Sequence, residues 1–364
     1  MNSNRVRVAI AGVGNCASAL VQGVEYYRQQ NDDSHAGLIN DKIAGMTAGD
    51  IDIVAAFDVD ERKVGTSINE AIFALPNCTQ RFVSTMPSNG VTVEMGPVLD
   101  GIAPHMTEQP ADRAFRKADI EPVDVARSLR RTGAEVLISY LPVGSENAVK
   151  HYAEACLDAG VALVNCVPVF VASDPEWAEK FRAAGLPIIG DDIKSQLGAT
   201  IVHRVLTQLF QERGVDLKRT YQLNTGGNTD FLNMRAEERL KSKRISKTRS
   251  VQSATSQELD DQNIHIGPSD YVAWQNDNKV AFIRMEGQGF GESNIELELR
   301  LSVEDSPNSA GSVIDAVRFA KAGLMKGWSG PLEEPSAYYM KSPMRQIPDA
   351  EAYQLCRRLV EDLA

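Results

Sequence analysis

Arg5-Val-Arg-Val-Ala-Ile-Ala11, a β-rich run, leads directly into Gly12-Val-Gly14-Asn-Cys-Ala17, after which Ser18 to Tyr27 carries a helical pattern. A G-x-G-x-x-A turn between strand and helix constrains the fold more than any other feature of this 364-residue chain. The first glycine permits the tight turn, the second lets backbone approach a pyrophosphate, and the small Ala17 allows helix and strand to pack closely. The helix N-terminus then faces the anion with unpaired N–H groups and the positive end of its dipole. Gly12, Gly14 and Asn15 are the candidate contacts of such a dinucleotide.

The next strand pattern, Ile51 to Phe57, ends at Asp58. A carboxylate there accepts hydrogen bonds from an adenosine ribose and repels a 2′-phosphate, which favours NAD over NADP. Asp58 lies further from the glycines than the usual roughly 20 residues, because Asn31 to Asp50 is a polar insertion. The plainer alternative is a strand-end aspartate that caps the following helix. Alternation continues through helix Val123 to Arg131, strand Glu135 to Leu141, helix Ser145 to Ala159, strand Val161 to Val164, helix Pro175 to Ala184 and strand Leu186 to Ile189. Strands alternating with helices predict an α/β fold with a doubly wound parallel sheet, a Rossmann domain. Ligands of such sheets bind beyond the carboxyl ends of the strands, which assigns Ser139, Tyr140, Pro142, Asn165 and Pro168 to the cofactor crevice. Tyr152 is either a further contact there or a core tyrosine. Residues Pro76 to Asp119 are expected to form a hairpin or an excursion against the sheet.

The length exceeds the roughly 250 to 300 residues that one core supports, so a second domain is expected. After the last parallel strand, Gly190-Asp-Asp192-Ile-Lys194-Ser195 opens an amphipathic helix, Leu197 to Glu212. A carboxylate pair beside a lysine and a serine at the crevice edge suits contact with cofactor and substrate; helix capping is the structural alternative. Arg219 to Asn224, Val280 to Met285 and Ile295 to Val303 read as strands of an open mixed or antiparallel sheet, with Lys279 and Asp305 at strand ends and Val313 to Lys326 helical beyond. The expected organisation is a Rossmann domain from residues 1–193 with about 306–364, and an α+β catalytic and oligomerisation domain over about 194–305.

The chain carries 49 acidic against 38 basic residues, a net charge of -11, yet Arg239, Lys241, Lys243, Arg244, Lys247 and Arg249 follow Asn224-Thr-Gly-Gly-Asn-Thr-Asp230-Phe-Leu-Asn233. Overall acidity argues against nucleic acid, so the cluster is either a local site for a phosphorylated, oxygen-rich substrate or a solvated face. No apolar run approaches a membrane span of roughly 18 residues, and the N-terminus has no secretory pattern; a cytoplasmic protein is expected. The five cysteines and five histidines are scattered without metal-ligand spacing.

Gly12-Val-Gly-Asn-Cys, Gly190-Asp-Asp-Ile-Lys-Ser, Asn224-Thr-Gly-Gly-Asn-Thr-Asp-Phe, Lys241-Ser-Lys-Arg-Ile-Ser-Lys247 and Asp305-Ser-Pro-Asn-Ser-Ala occur in that order over nearly the whole chain. In these blocks it resembles the myo-inositol-1-phosphate synthases, in their shorter actinobacterial form. The glycine- and asparagine-rich phosphate loop of the eukaryotic enzymes is shorter here. The resemblance implies conversion of glucose 6-phosphate to myo-inositol 1-phosphate: NAD oxidises carbon 5, an enolate at carbon 6 attacks carbon 1, and the ketone is reduced again. It assigns proton exchange at the carbon 5 hydroxyl to Lys279, and oxyanion stabilisation near carbon 1 and the nicotinamide to Lys243. Lys247 and Lys341 would hold phosphate and sugar oxygens, Asp192 and Asp305 would orient the lysines, and Ser195 and Asp230 would lie on the nicotinamide or metal side. Crowded ammonium groups lower one another's pKa, so one lysine is expected to exchange protons near neutrality. A homotetramer and a divalent or monovalent cation near the NAD pyrophosphate are further implications, with the metal unknown. The rival readings are an ordinary two-domain NAD-dependent dehydrogenase, which accumulates NADH, and an NAD-sensing regulator.

Overall fold

The computed structural model describes residues 5–30, 36–236, 251–252, 259–267 and 270–364. Six parallel strands form most of the first sheet: β1 (Val6–Ala11), β2 (Ile51–Asp58), β3 (Val93–Met95), β4 (Val136–Ser139), β5 (Ala162–Asn165) and β6 (Pro187–Ile189). A last strand, β12 (Gly330–Pro331), joins at the edge, giving the order β12-β6-β5-β4-β1-β2-β3. The chain winds outward from β1 to β3, then crosses back to β4 on the other side of β1. A crevice opens outside the carboxyl ends of strands at such a switch point.

β1 shows why both faces are covered. Val8 and Ile10 point into one core, Ala9 and Ala11 into the other, and all are fully buried. The period of two in a strand makes neighbours face opposite ways. One face packs α1 (Asn15–Gln29) and α8 (Asp305–Lys326) through Leu20, Val24, Val317 and Phe319. The other packs α3 (Val125–Thr132), α4 (Glu146–Ala159) and α5 (Pro175–Ala183) through Leu129, Val149 and Phe181. Truncating a fully buried leucine such as Leu20 to alanine costs about 2–5 kcal/mol. Asp124 accepts a bond from Arg127 N at 2.9 Å, and Asp174 accepts from Glu176 N and Trp177 N, so α3 and α5 begin on aspartate caps.

Between β6 and α8 the chain builds a second sheet from β7 (Asp216–Gly226), β8 (Ile264–Ile266), β9 (Asp270–Tyr271), β10 (Asn278–Gln288) and β11 (Asn294–Glu304). β10 pairs antiparallel with β7 and β11, whereas β8 and β9 run parallel to β7. It is an open mixed sheet, as predicted. Helix α6 (Ala199–Glu212) covers one face, where Phe210 meets Ala281, Ile283 and Met285. The short α7 (Thr229–Asn233) follows β7.

Of the two alternatives for residues 76–119, the excursion against the sheet is the one observed: they contribute the edge strand β3 and a 3-10 turn, Pro104–Glu108, that packs Ala103, Met106 and Ala114 against Leu232 and Ala236 of the second unit. One predicted element differs. The helix expected from Val313 begins at Asp305. Pro307 sits in its first turn, where a backbone N–H has no intrahelical partner to lose, so Ser-Pro-Asn-Ser reads as loop but folds as helix.

Candidate active site

The glycine turn forms one end of a crevice between the sheets. Gly12 has φ +93°, and a Cβ on it would lie 2.7 Å from the Tyr140 carbonyl oxygen, so no other residue fits. Gly14 precedes α1 without any side-chain cap, and nothing lies within 4 Å of where its Cβ would be. That open space in front of unpaired helix N–H groups fits a pyrophosphate.

The side chains around the turn brace it. Asp58 accepts from Val13 N at 2.7 Å through Oδ2, and from Val59 N at 2.7 Å and Asp60 N at 2.9 Å through Oδ1. The Asn15 side-chain Oδ1 accepts from Cys78 N, Thr79 N and Thr79 Oγ1. Lys63, buried, donates to the Val13 carbonyl at 2.8 Å and to Asn77 at 2.9 Å, and burial pulls its pKa down. Asp58, Asn15 and Lys63 all still line the crevice.

The cofactor candidates at the next strand divide. Tyr140, Pro142 and Pro168 line the crevice. Ser139 does not: as the last residue of β4, in register with Ala11 and Asn165, it is fully buried. Asn165 also lies behind the wall, donating to Asp191 at 2.7 Å and to the Val169 carbonyl at 2.7 Å. Tyr152 is both core and wall: it lines the crevice while its ring packs 5.8 Å from Phe57, and burial pushes its phenol pKa far up.

At the end of β6, adjacent residues take opposite jobs. Asp191 is fully buried and accepts bonds from Asn165, Val171 N, Ala172 N, and Ser173 through both N and Oγ; burial still pushes its pKa up to about 6. Asp192, with φ +65°, turns to the crevice and accepts from Lys341 Nζ at 2.7 Å, while Lys341 also donates to the Ile193 carbonyl at 2.7 Å. Lys194 points away, bonded to Asp349 at 2.8 Å and the Ala337 carbonyl at 2.7 Å; burial lowers its pKa to about 8. Ser195 lines the crevice.

Across from these, Lys279 near the start of β10 donates to Asp305 at 3.1 Å and lies 5.9 Å above the Phe231 ring. Burial pulls its pKa down, but Asp305, Asp230 and Asp192 outweigh it and leave the pKa raised. The described part of the site surrounds Lys279 with carboxylates, and the lysines whose crowding is expected to lower a pKa, Lys243 and Lys247, are outside it. Gly12, Gly14, Asn15, Asp58, Tyr152, Asp192, Ser195, Asp230, Lys279, Asp305 and Lys341 thus share one crevice. Lys243 and Lys247 lie outside the described residues.

Comparison with known proteins decides the lineage. The chain is 53% identical over 353 residues to the inositol-3-phosphate synthase of Mycolicibacterium smegmatis, spanning 96% of this chain and 96% of that protein. This chain belongs to the myo-inositol-1-phosphate synthase family. The profile described as myo-inositol-1-phosphate synthase matches residues 198–306, from the start of α6 to the start of α8. Among solved structures, that of Ari2 is 36% identical with a TM-score of 0.78, covering 98% of this chain and 99% of that one. A myo-inositol-1-phosphate synthase-related protein of Thermotoga maritima has the same fold, with a TM-score of 0.79 at 24% identity, covering 98% of each chain.

Two parts of this family member's crevice escape sequence reasoning. Helix α6 starts at Gly198 without a side-chain cap, and Gly198, Ala199 and Thr200 line the crevice, a second helix N-terminus open to an anion. The glycine three residues after Ser195 was the available signal. Lys63 is the other; inside Asp-Val-Asp-Glu-Arg-Lys it reads as one more solvated charge.

Proposed function

We propose that this chain converts D-glucose 6-phosphate to 1L-myo-inositol 1-phosphate by oxidation, enolisation, intramolecular aldol closure and re-reduction, without net release of NADH. NAD, held by the glycine turn and the N-terminus of α1, would supply the hydride acceptor for carbon 5 and the hydride for the re-reduction. The observation that carries this reading is the convergence of Lys279–Asp305 and Lys341–Asp192 on the crevice that also holds the dinucleotide turn. An ordinary dehydrogenase needs the turn but not two facing ammonium–carboxylate pairs.

The glycine turn and α1 hold the pyrophosphate, with Asp58, Asn15 and Tyr152 shaping the adenosine side. Lys279 exchanges the carbon 5 hydroxyl proton, and Asp305, which accepts from its Nζ at 3.1 Å, orients the lysine for that exchange. Lys341, steered by Asp192, and Lys243 stabilise the oxyanions that develop during enolisation and ring closure, since ammonium groups preorganised in a water-poor site are most effective there. Ser195, the α6 N-terminus and Lys247 bind the substrate phosphate, and Asp230 borders the nicotinamide. Among the described residues no group of three His, Cys, Asp or Glu side chains could hold a metal, and no step is assigned to a cation.

Residues 1–193 with about 306–364 serve as the NAD-binding domain, and about 194–305 as the catalytic and oligomerisation domain, in a cytoplasmic homotetramer. The apolar outer side of α6, with Val205 53% and Leu209 45% exposed, supports subunit contact there. No helix of the described residues is long and apolar enough to cross a membrane. The deciding experiment incubates the protein with glucose 6-phosphate and NAD and measures inositol phosphate and NADH together. Inositol phosphate without NADH supports the synthase; stoichiometric NADH overturns it.

A further inference from the structure

Behind the crevice wall, a side chain outside the assigned site joins the three segments that deliver Lys279, Asp230 and Asp305. Asp277 is 1% exposed, does not line the crevice, and immediately precedes β10. Its Oδ1 accepts from Asn228 Nδ2 at 3.0 Å and from Ser306 Oγ at 2.9 Å, and its Oδ2 accepts from Ser306 N at 3.2 Å. Its backbone carbonyl accepts from Asp305 N at 2.9 Å. Asn228 in turn caps α7 through Asp230 N and Phe231 N, at 3.1 and 3.2 Å. One carboxylate therefore fixes the beginnings of β10, α7 and α8, which present Lys279, Asp230 and Asp305 respectively.

We propose that Asp277 is the positioning residue for the Lys279–Asp305 pair, acting through Ser306 and Asn228 on the geometry of the proton exchange at carbon 5. The inference rests on the synthase reading for its kinetic consequence but not for its structural one. The choice of residue is informative. Donors approach both oxygens, so an amide of the same shape would turn its NH2 towards at least one of them, whereas a carboxylate accepts from all. Burial, with the nearby Asp305 charge, pushes the Asp277 pKa up to about 7, so an ionised carboxylate here is costly. A residue kept only to fill space would not carry that cost.

The test compares Asp277→Ala and Asp277→Asn with the wild-type enzyme. For Asp277→Ala, kcat on glucose 6-phosphate should fall about 100-fold, the loss expected when a reacting group shifts by about 1 Å. KM and the NAD dissociation constant should stay within about threefold, since a positioning loss appears in kcat. Asp277→Asn, which keeps one accepting oxygen, should lose only about tenfold. In parallel, acetic anhydride labelling read by mass spectrometry, with Lys341 as internal reference, should show Lys279 labelled about fivefold faster in Asp277→Ala as its Asp305 partner is displaced. Unchanged kcat or unchanged Lys279 labelling overturns the proposal, as does a parallel loss of NAD affinity and thermal stability that accounts for the kinetic defect. If Asp277→Ala does not fold, Asp277→Asn and Ser306→Ala carry both measurements. A wild-type protein that makes no inositol phosphate defeats the synthase reading, while the labelling result still decides the positioning.

Discussion

The two ends of the crevice use polar side chains in opposite ways. At the glycine turn, Asp58, Asn15 and Lys63 spend their hydrogen bonds on backbone and loop, so that a dinucleotide meets a rigid frame of helix N–H groups and open space. At the other end, Lys279 and Lys341 bond to Asp305 and Asp192, side chain to side chain. Such pairs exchange partners when a substrate brings its own oxygens. Polar side chains brace the backbone at one end and pair with one another at the other.

That contrast breaks if a single lysine change damages cofactor binding as much as turnover. Lys279→Ala should lower kcat by about 10³-fold or more, the loss of a proton-exchanging group that also stabilises an oxyanion. Its NAD affinity by titration should match the wild type. The second largest effect concerns the floor of the catalytic end, where His203 is fully buried between Thr220 and Gln222, and burial lowers its pKa to about 4. A histidine whose folded pKa lies below its unfolded value takes up protons preferentially when unfolded. Stability is therefore lost as pH falls from about 6.5 towards 4, by up to about 3 kcal/mol. Denaturant melts at pH 7 and pH 4.5 should show that loss shrinking in His203→Gln.

Gly12→Ala sharpens the comparison from the other end. The strained φ and the clash with the Tyr140 carbonyl should cost about 1–3 kcal/mol of stability, and NAD affinity should fall about tenfold or more, a further 1.4 kcal/mol. The smallest effect is expected for Ser139→Ala. The hydroxyl has no hydrogen-bond partner among the described residues, so NAD affinity should be unchanged within error; a tenfold loss would return Ser139 to the cofactor site.

The two ends were also unequally legible in the sequence. Five strands and the glycine turn of the first sheet announce themselves through apolar runs and alternation, because a parallel sheet covered on both faces has little other choice of residue. The two-residue β12 and three-residue β3 are too short to show a period. Asp191 and Asp192 are indistinguishable as neighbours in the chain; only the left-handed backbone at Asp192 sends one to the crevice and leaves the other in the core. Lys63 and Asp277 were invisible for a related reason. A buried charge is defined by partners distant in sequence, and no local pattern marks it.

Helix α8 couples the two ends mechanically. Its first residue, Asp305, holds Lys279, while Val313 to Ala322 of the same rod are clamped in the core beneath the first sheet. Angular phase along this axle is therefore part of the active site. Inserting one residue between Asp305 and Val313 would rotate the carboxylate by about 100° and advance it by about 1.5 Å relative to the clamped section. The spacing between the two residues is thus as constrained as their identities, and length variation in this lineage has to fall elsewhere, in loops that do not transmit rotation.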